Sequence, residues 1–141
     1  MKTKPQRDAY HDSVRKSLEK DGWTVTHDPL TIRLEDVKFY VDLAAEKMIE
    51  ADGETRKVAI EINVFGGLSF LNEFEKAVGQ YLIYRQFPGE LFPERILFLA
   101  VAEEVFEDSF SLPTIQAVVA RQEIKLLVFS PKIEEIIKWI E

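Results

Sequence analysis

The sequence predicts an α/β fold in which a mixed central sheet is flanked by helices. Three observations predict it. Helical and strand-like patterns alternate along the chain, an Asp-Gly turn joins two consecutive strand-like segments, and two later segments are almost wholly apolar, as strands buried on both faces are. The 141 residues contain no linker long enough to separate two units. Residues 1–141 are therefore expected to form a single domain with one sizeable core.

The composition excludes several classes of protein. The 46% hydrophobic and 30% charged residues are ordinary for a soluble globular protein. No apolar run reaches the ~18 residues of a membrane-spanning helix, and the positively charged N-terminus lacks the apolar core of a secretory signal. The absence of cysteine rules out a disulfide framework and a thiolate zinc site. We therefore expect a cytoplasmic protein that makes no membrane contact.

The net charge of −7 constrains how the protein would meet nucleic acid. Proteins that hold DNA mainly by neutralising phosphates are usually basic. If this protein handles DNA, it must do so through a local basic face, a bound cation or a partner subunit.

The first elements are one helix and two short strands. The helix is predicted to begin at Asp8 and to end at Gly22, because glycine readily takes the left-handed conformation that follows a helix C-terminus. An alternating strand over residues 23–27 follows and ends before Pro29. Residues 31–34 predict the second strand.

A β-hairpin comes next, with strands at residues 39–49 and 56–65 and Asp52-Gly53 as its turn. Side chains that face each other across a ladder lie on the same side of the sheet. The register that follows from a two-residue loop can therefore be checked against the polar positions.

That register places Asp42 opposite Asn63 and Ala44 opposite Glu61, so the two acids and the amide share one face with small alanines. The other face is predicted to be a continuous apolar surface. It consists of Val41, Leu43, Val58, Ile60, Ile62 and Val64. A slip of one residue would break this agreement, which supports the pairing.

A helix over residues 69–86 follows, with Ser69 as a plausible N-cap. Its positions Glu73, Ala77, Gln80 and Tyr84 fall on one face. A helix packed beside the strands would bring Gln80 and Tyr84 toward the two acids.

The rest of the chain completes the sheet and its cover. The predicted elements are a buried strand at 95–102, short helices at 103–110 and 113–120, a buried strand at 125–129 and a closing helix at 133–140.

Asp42 and Glu61 are candidate metal ligands. Two carboxylates and a backbone carbonyl on adjacent strands suit Mg²⁺, a hard ion that keeps several waters. Such an ion lowers the pKa of a bound water and stabilises charge on a phosphate. The sequence therefore predicts a magnesium site on this face of the hairpin.

Position 63 bears on whether such a site could cut DNA. Nuclease chemistry calls for a cation or base near the attacking water, and a lysine two residues after Glu61 would supply it. Asn63 stands there instead, and it can orient a water but cannot act as a general base. Lys57 shares the face but lies roughly 13 Å away along the strand, too far to replace it.

The pattern Asp42…Glu61-x-Asn63 resembles the Asp…Glu-x-Lys signature of the PD-(D/E)XK nuclease superfamily. Gln80-x-x-x-Tyr84 is similar to the accessory motif on the following helix in its RecB-like branch. This resemblance implies a restriction-endonuclease-like fold with an αβββαβ core. This chain departs from the signature at the lysine, where it has Asn63.

The chain as a whole resembles the XisH proteins, the fdxN-element excision controlling factors of cyanobacteria. The segments that carry the resemblance are residues 11–14, 21–29, 40–47, 79–81 and 124–129. The family pattern after Ala59 is similar to Val/Ile-Glu-Val/Ile-Lys-Ser-Phe, where this chain reads Ile-Glu-Ile-Asn-Val-Phe at 60–65. The resemblance implies programmed excision of a DNA element during heterocyst differentiation, with a site-specific recombinase and a partner factor, XisI.

Two functions remain open from the sequence. The first is an accessory factor for DNA excision, a nuclease-like scaffold with an impaired metal site that binds a partner or DNA. The second is an active Mg²⁺-dependent endonuclease, with Asp42 and Glu61 as ligands, Asn63 orienting water, and Gln80 and Tyr84 supporting the substrate. A homodimer is compatible with either, because nucleases that cut duplexes often act in pairs.

Overall fold

The computed structural model describes residues 6–49, 53–66, 69–87 and 95–141. The helices and strands are, in chain order, α1 (Gln6–Lys20), β1 (Thr24–His27), β2 (Leu30–Arg33), β3 (Lys38–Val41), β4 (Leu43–Ile49), β5 (Glu54–Ile62), α2 (Phe70–Arg85), β6 (Arg95–Ala102), α3 (Glu103–Asp108), α4 (Pro113–Arg121), β7 (Leu126–Ser130) and β8 (Glu135–Ile140). Among the described residues, no helix is long and apolar enough to cross a membrane.

Six strands form the central sheet, in the order β1-β4-β5-β6-β7-β8. The β1–β4 and β4–β5 pairs are antiparallel, β5–β6 and β6–β7 are parallel, and β8 returns antiparallel to β7. The predicted mixed sheet flanked by helices is confirmed. Its αβββαβ core is formed by α1, β1, β4, β5, α2 and β6. Strands β2 and β3 make a separate two-stranded sheet.

Each face of the central sheet buries its own hydrophobic cluster. On one face α1 contributes Val14 and Leu18. On the other, α2, α4 and the β2–β3 sheet pack over the strands. Because β6 and β7 are covered on both faces, their sequences are almost continuously apolar, as the sequence predicted.

The predicted strand at 39–49 is two strands, because the chain changes sheets at Asp42. Strand β3 pairs with β2, with Val41 opposite Leu30, whereas β4 pairs with β1 and β5. The prediction that Val41 lies on the face opposite Asp42 is wrong. Val41 packs in the same cluster as Ala44 and Ala59, since strand alternation does not continue across a break.

The register of the hairpin also differs from the prediction. Leu43 pairs with Ile60 and Ile49 with Glu54, so four residues rather than two separate the strands. Gly53 takes the left-handed conformation (φ 69°) that a tight loop needs. The predicted turn residue Asp52 lies outside the described residues. The shift is even, so the predicted parity survives.

The end of the chain is a strand where the sequence predicted a helix at 133–140. Its isoleucines recur at intervals of three and four residues, which mimics a helix face. The β7 backbone has an open edge, however, and β8 pairs with it, with Leu127 opposite Trp139. Glu134, in the left-handed conformation (φ 53°), turns the chain back. Trp139 then packs on Phe98, with ring centroids 4.8 Å apart.

Candidate metal-binding site

The two candidate metal ligands meet across the hairpin. Asp42 lies just before β4, and one further step from the Leu43–Ile60 pair places it opposite Glu61 rather than opposite Asn63. The Asp42 N–H donates to Glu61 Oε1 at 3.3 Å, and the Ile62 N–H donates to Asp42 Oδ2 at 2.8 Å. Each carboxylate therefore accepts a hydrogen bond from the strand that carries the other.

The local sequence explains why the acids can sit side by side. The neighbouring positions on their face are Ala44 and Ala59, whose small side chains leave room beneath α2. Glu61 is 4% exposed, and Asp42 is half-buried. A buried carboxylate requires hydrogen-bond donors, and the two backbone N–H groups supply them.

Asn63, the first residue after β5, has an unsatisfied hydrogen-bond donor. Its side chain is 8% exposed, and its amide nitrogen has no hydrogen-bond partner within the described part of the chain. An unmade hydrogen bond of this kind costs about 1–3 kcal/mol. The amide can donate to an oxygen that enters the site, but it cannot accept a proton.

The backbone after Asn63 turns sharply. Phe65 has a left-handed backbone (φ 56°), which is strained for a bulky side chain. Its ring is held by Phe70 and Phe110, each with its centroid 5.5 Å away. This aromatic cluster fixes the direction in which β5 leaves the sheet.

The donor set fits a hard divalent cation, though incompletely. Carboxylate oxygens are ligands that Mg²⁺ prefers, so the acid pair is a candidate to hold this ion. No group of three or more His, Cys, Asp or Glu side chains suited to a metal occurs among the described residues. Waters, a backbone carbonyl or a substrate phosphate would have to supply the other ligands.

The two residues predicted on α2 occupy different environments. Tyr84 is 9% exposed and packs in the core, with its ring 5.6 Å from the ring of Phe39. Gln80 is half-buried, one residue before the buried Tyr81. The helix itself is as predicted: Ser69 caps it by accepting a hydrogen bond from the Asn72 N–H at 3.2 Å. The structure thus brings Asp42 and Glu61 together, leaves Asn63 just beyond the end of β5 and places Tyr84 in the core.

Lys57 lies toward the other end of the sheet. It pairs in register with Glu46 on β4 and with Arg95 on β6. Arg95 donates to the carbonyls of Ala45 and Val58 at 3.3 and 3.0 Å. Burial lowers the pKa of Arg95, and the nearby Glu46 opposes that shift.

Tyr81 holds α2 to the sheet, a role that the sequence did not reveal. Its hydroxyl donates to the Leu97 carbonyl at 2.8 Å and accepts from the Lys125 N–H at 3.1 Å. Burial raises the pKa of Tyr81, while the Lys125 N–H and the Arg85 guanidinium act in the opposite direction. In the sequence Tyr81 belongs only to an apolar stripe, which gives no sign of these bonds.

Comparison with known proteins identifies the family. The model of the XisH protein family matches residues 4–137. The chain belongs to the XisH family. A crystal structure of an XisH family protein from Nostoc punctiforme PCC 73102 has a TM-score of 0.86 and 36% identity, covering 95% of this chain and 100% of that one.

A second solved structure is a fdxN element excision controlling factor protein from Anabaena variabilis. It has a TM-score of 0.86 and 34% identity to this XisH-family chain, covering 96% of this chain and 100% of the other. A comparison with curated proteins finds no match.

Proposed function

We propose that this XisH-family protein is an accessory factor in programmed excision of a DNA element, built on a nuclease-like scaffold whose metal site is impaired. The observation that carries the proposal is Asn63, a buried amide at the position where cleavage would need a cation or base. Similarity to the Anabaena variabilis excision controlling factor supports the process.

The chemistry available at the site supports binding more than cutting. A Mg²⁺ ion, when bound, would polarise a phosphate and acidify a water. Asp42 and Glu61 would hold the ion, and the Asn63 amide would donate to a water or a phosphate oxygen. None of these side chains replaces the lysine of the PD-(D/E)XK signature, since neutral Asn63 can neither remove a proton nor add positive charge.

The charge of the chain supports action through partners. With a net charge of −7, the protein has little general attraction for DNA phosphates. An XisI-like protein and a site-specific recombinase are the proposed partners, and they would bring it to the excision site.

An active Mg²⁺-dependent endonuclease is the second candidate. The observation that favours it is the acid pair, whose two carboxylates lie across the hairpin from each other. The half-buried Asp42 leaves the pair within reach of solvent.

The first experiment titrates Mg²⁺ and Mn²⁺ into the protein by calorimetry. We expect weak binding that is lost in Asp42→Asn, whose amide oxygen can still accept the Ile62 N–H and so preserve the hairpin. Asp36→Asn is the matched control, because Asp36 is exposed between β2 and β3. Loss of binding in both variants, or in neither, would contradict the assignment of Asp42.

The second experiment incubates the wild-type protein with supercoiled plasmid and Mn²⁺. We expect no cleavage by wild type, and nicking by Asn63→Lys that requires Asp42. Cleavage by wild type that Asp42→Asn abolishes would contradict the accessory role and establish the endonuclease. Failure of Asn63→Lys to cleave would contradict a site impaired at position 63.

A further inference from the structure

A cavity of about 750 Å³ lies on the sheet face that also carries the acid pair, but over strands β6 to β8 rather than over the hairpin. Its walls come from the ends of α2 and α3, from α4, and from the strands. Small-molecule sites are typically concave, largely apolar and of roughly 300–1,000 Å³. Its size therefore fits a ligand rather than a packing defect.

The walls are mostly apolar. The side chains that form them include Leu97, Phe106, Phe110, Val119 and Leu126. Of these, Leu97, Phe110 and Leu126 belong to the buried core beneath α2 and α4. The body of a ligand that fills this space must be hydrocarbon or aromatic.

Two cationic residues, Arg85 and Lys125, line the same cavity near Tyr81. Arg85 lies over the Tyr81 ring, 5.4 Å from its centroid, and donates to the Gln122 carbonyl at 2.5 Å. Lys125, just before β7, also lines the cavity, and its backbone N–H donates to the Tyr81 hydroxyl. Among the described residues, neither side chain lies within 4 Å of a carboxylate.

Two acids, Glu123 and Glu141, also line the cavity, and neither forms an ion pair with Arg85 or Lys125 among the described residues. Glu141 forms an ion pair with Arg56 at 2.6 Å. Glu123 is exposed, and its backbone carbonyl rather than its carboxylate faces the Arg85 guanidinium. The half-buried Arg95 also lines the cavity, although its guanidinium is directed to backbone carbonyls of β4 and β5.

We propose that this cavity binds a small organic anion with an apolar body, a carboxylate or a phosphate monoester. The anionic group would lie between Arg85 and Lys125 beside Tyr81, and the body would lie against the apolar walls. Arginine suits such a group because its planar fork binds two oxygens at once. This site is separate from the acid pair, so its test does not depend on the metal.

The probe is 1-anilinonaphthalene-8-sulfonate, an amphipathic anion whose fluorescence rises in apolar surroundings. We expect saturable binding of one molecule per chain, displaced by decanoate or by decyl phosphate. The more effective of these two competitors identifies the anionic group. Decanol, which has the same chain without the charge, should compete at least tenfold more weakly. Competition by decanol equal to that of both anions would overturn the proposal.

Variants locate the binding in the cavity. Lys125→Met keeps the length of the side chain and the backbone N–H but removes the charge, and should weaken decanoate binding about tenfold, equivalent to one charge-assisted hydrogen bond. The matched control is Lys132→Met, at an exposed lysine outside the cavity. Equal effects of the two lysine variants would contradict the assignment.

Ala120→Trp fills the cavity from the exposed side of α4 and should abolish probe binding. Thr114→Trp places the same bulk on α4 at an exposed position outside the lining and should leave it unchanged. Undiminished binding in Ala120→Trp, with native circular dichroism, would place the probe elsewhere and overturn the proposal.

Discussion

At the scale of single residues, the acid pair has a structural role in the hairpin. Asp42 lies outside β3 and β4, so its N–H is bound by the Glu61 carboxylate, while the Asp42 carboxylate binds the Ile62 N–H. The carboxylate oxygens that would bind a cation therefore also hold the two sides of the hairpin together, at the end away from its loop. Asn63 has no such structural task, because its amide nitrogen makes no hydrogen bond within the described structure.

Tyr81→Phe provides a prediction at this scale. The substitution removes the hydroxyl that joins the Leu97 carbonyl to the Lys125 N–H. We expect the free energy of unfolding in urea to fall by about 1–3 kcal/mol, because two backbone groups lose their partner. Tyr40→Phe, at a side chain that is 55% exposed, should change it by less than about 0.5 kcal/mol. Equal changes in the two variants would show that the hydrogen bonds of the Tyr81 hydroxyl do not stabilise the fold.

The raised pKa of Tyr81 adds a dependence on pH. The folded state holds this proton more tightly than the unfolded state, whose tyrosine has a pKa of about 10. The stability that comes from the buried hydroxyl is present below about pH 10 and is lost as pH rises through the folded pKa. As the pH rises above about 10, wild type should therefore lose stability more steeply than Tyr81→Phe, on the order of the ionisation of one extra group. Parallel curves would contradict the shift.

At the scale of elements, local signals predicted well wherever they agreed with the packing. Ser69 caps α2, and the apolar runs became β6 and β7. The hairpin parity, which depends only on alternation, correctly put Ala44, Ala59 and Glu61 on one side of the hairpin, whereas the predicted face of Asn63 stays a prediction because β5 ends at Ile62. The break at Asp42 and the register of the loop could not be read from the sequence, since both depend on which strand pairs with β3 and β4.

Strand β8 shows the same limit more clearly. The spacing of its isoleucines fits a helix as well as a strand, and only the open edge of β7 decides between them. Its Trp139 sits between Trp23 and Phe98, with ring centroids 5.2 and 4.8 Å away.

Trp139→Ala is the corresponding prediction. It removes the aromatic contacts that fix β8 to the sheet and should lower the free energy of unfolding by about 3 kcal/mol. Urea unfolding followed by far-ultraviolet circular dichroism measures this. Ile133→Ala, at a side chain that is 54% exposed in the turn before β8, is the control and should cost below about 0.5 kcal/mol. A cost of that size for Trp139→Ala would contradict the packing role of β8.

At the scale of the whole molecule, the acid pair and the cavity occupy separate parts of one face of the sheet. The acid pair lies over the hairpin, and the cavity with Arg85 and Lys125 lies over β6 to β8. The chain as a whole is acidic. Long-range electrostatics therefore oppose the approach of a polyanion such as DNA.

This charge distribution predicts how the isolated protein meets DNA. We expect no saturable binding of a 20-base-pair duplex at micromolar protein in 150 mM salt, because few phosphates would be neutralised. Fluorescence anisotropy with and without Mg²⁺ measures this. Micromolar binding whose affinity falls steeply between 50 and 200 mM salt would reveal a basic DNA-binding face and contradict the expectation.

Substitutions at the three site positions differ in their cost to folding. Replacing Asp42 or Glu61 by an apolar residue leaves a backbone N–H of the hairpin without its acceptor, whereas replacing residue 63 breaks no hydrogen bond in the described structure. Apolar substitution at either acid is therefore expected to destabilise the hairpin whether or not a metal binds, whereas substitution at position 63 carries no such hydrogen-bond cost. Neither acid therefore needs metal chemistry to explain its presence, because the hairpin itself depends on both.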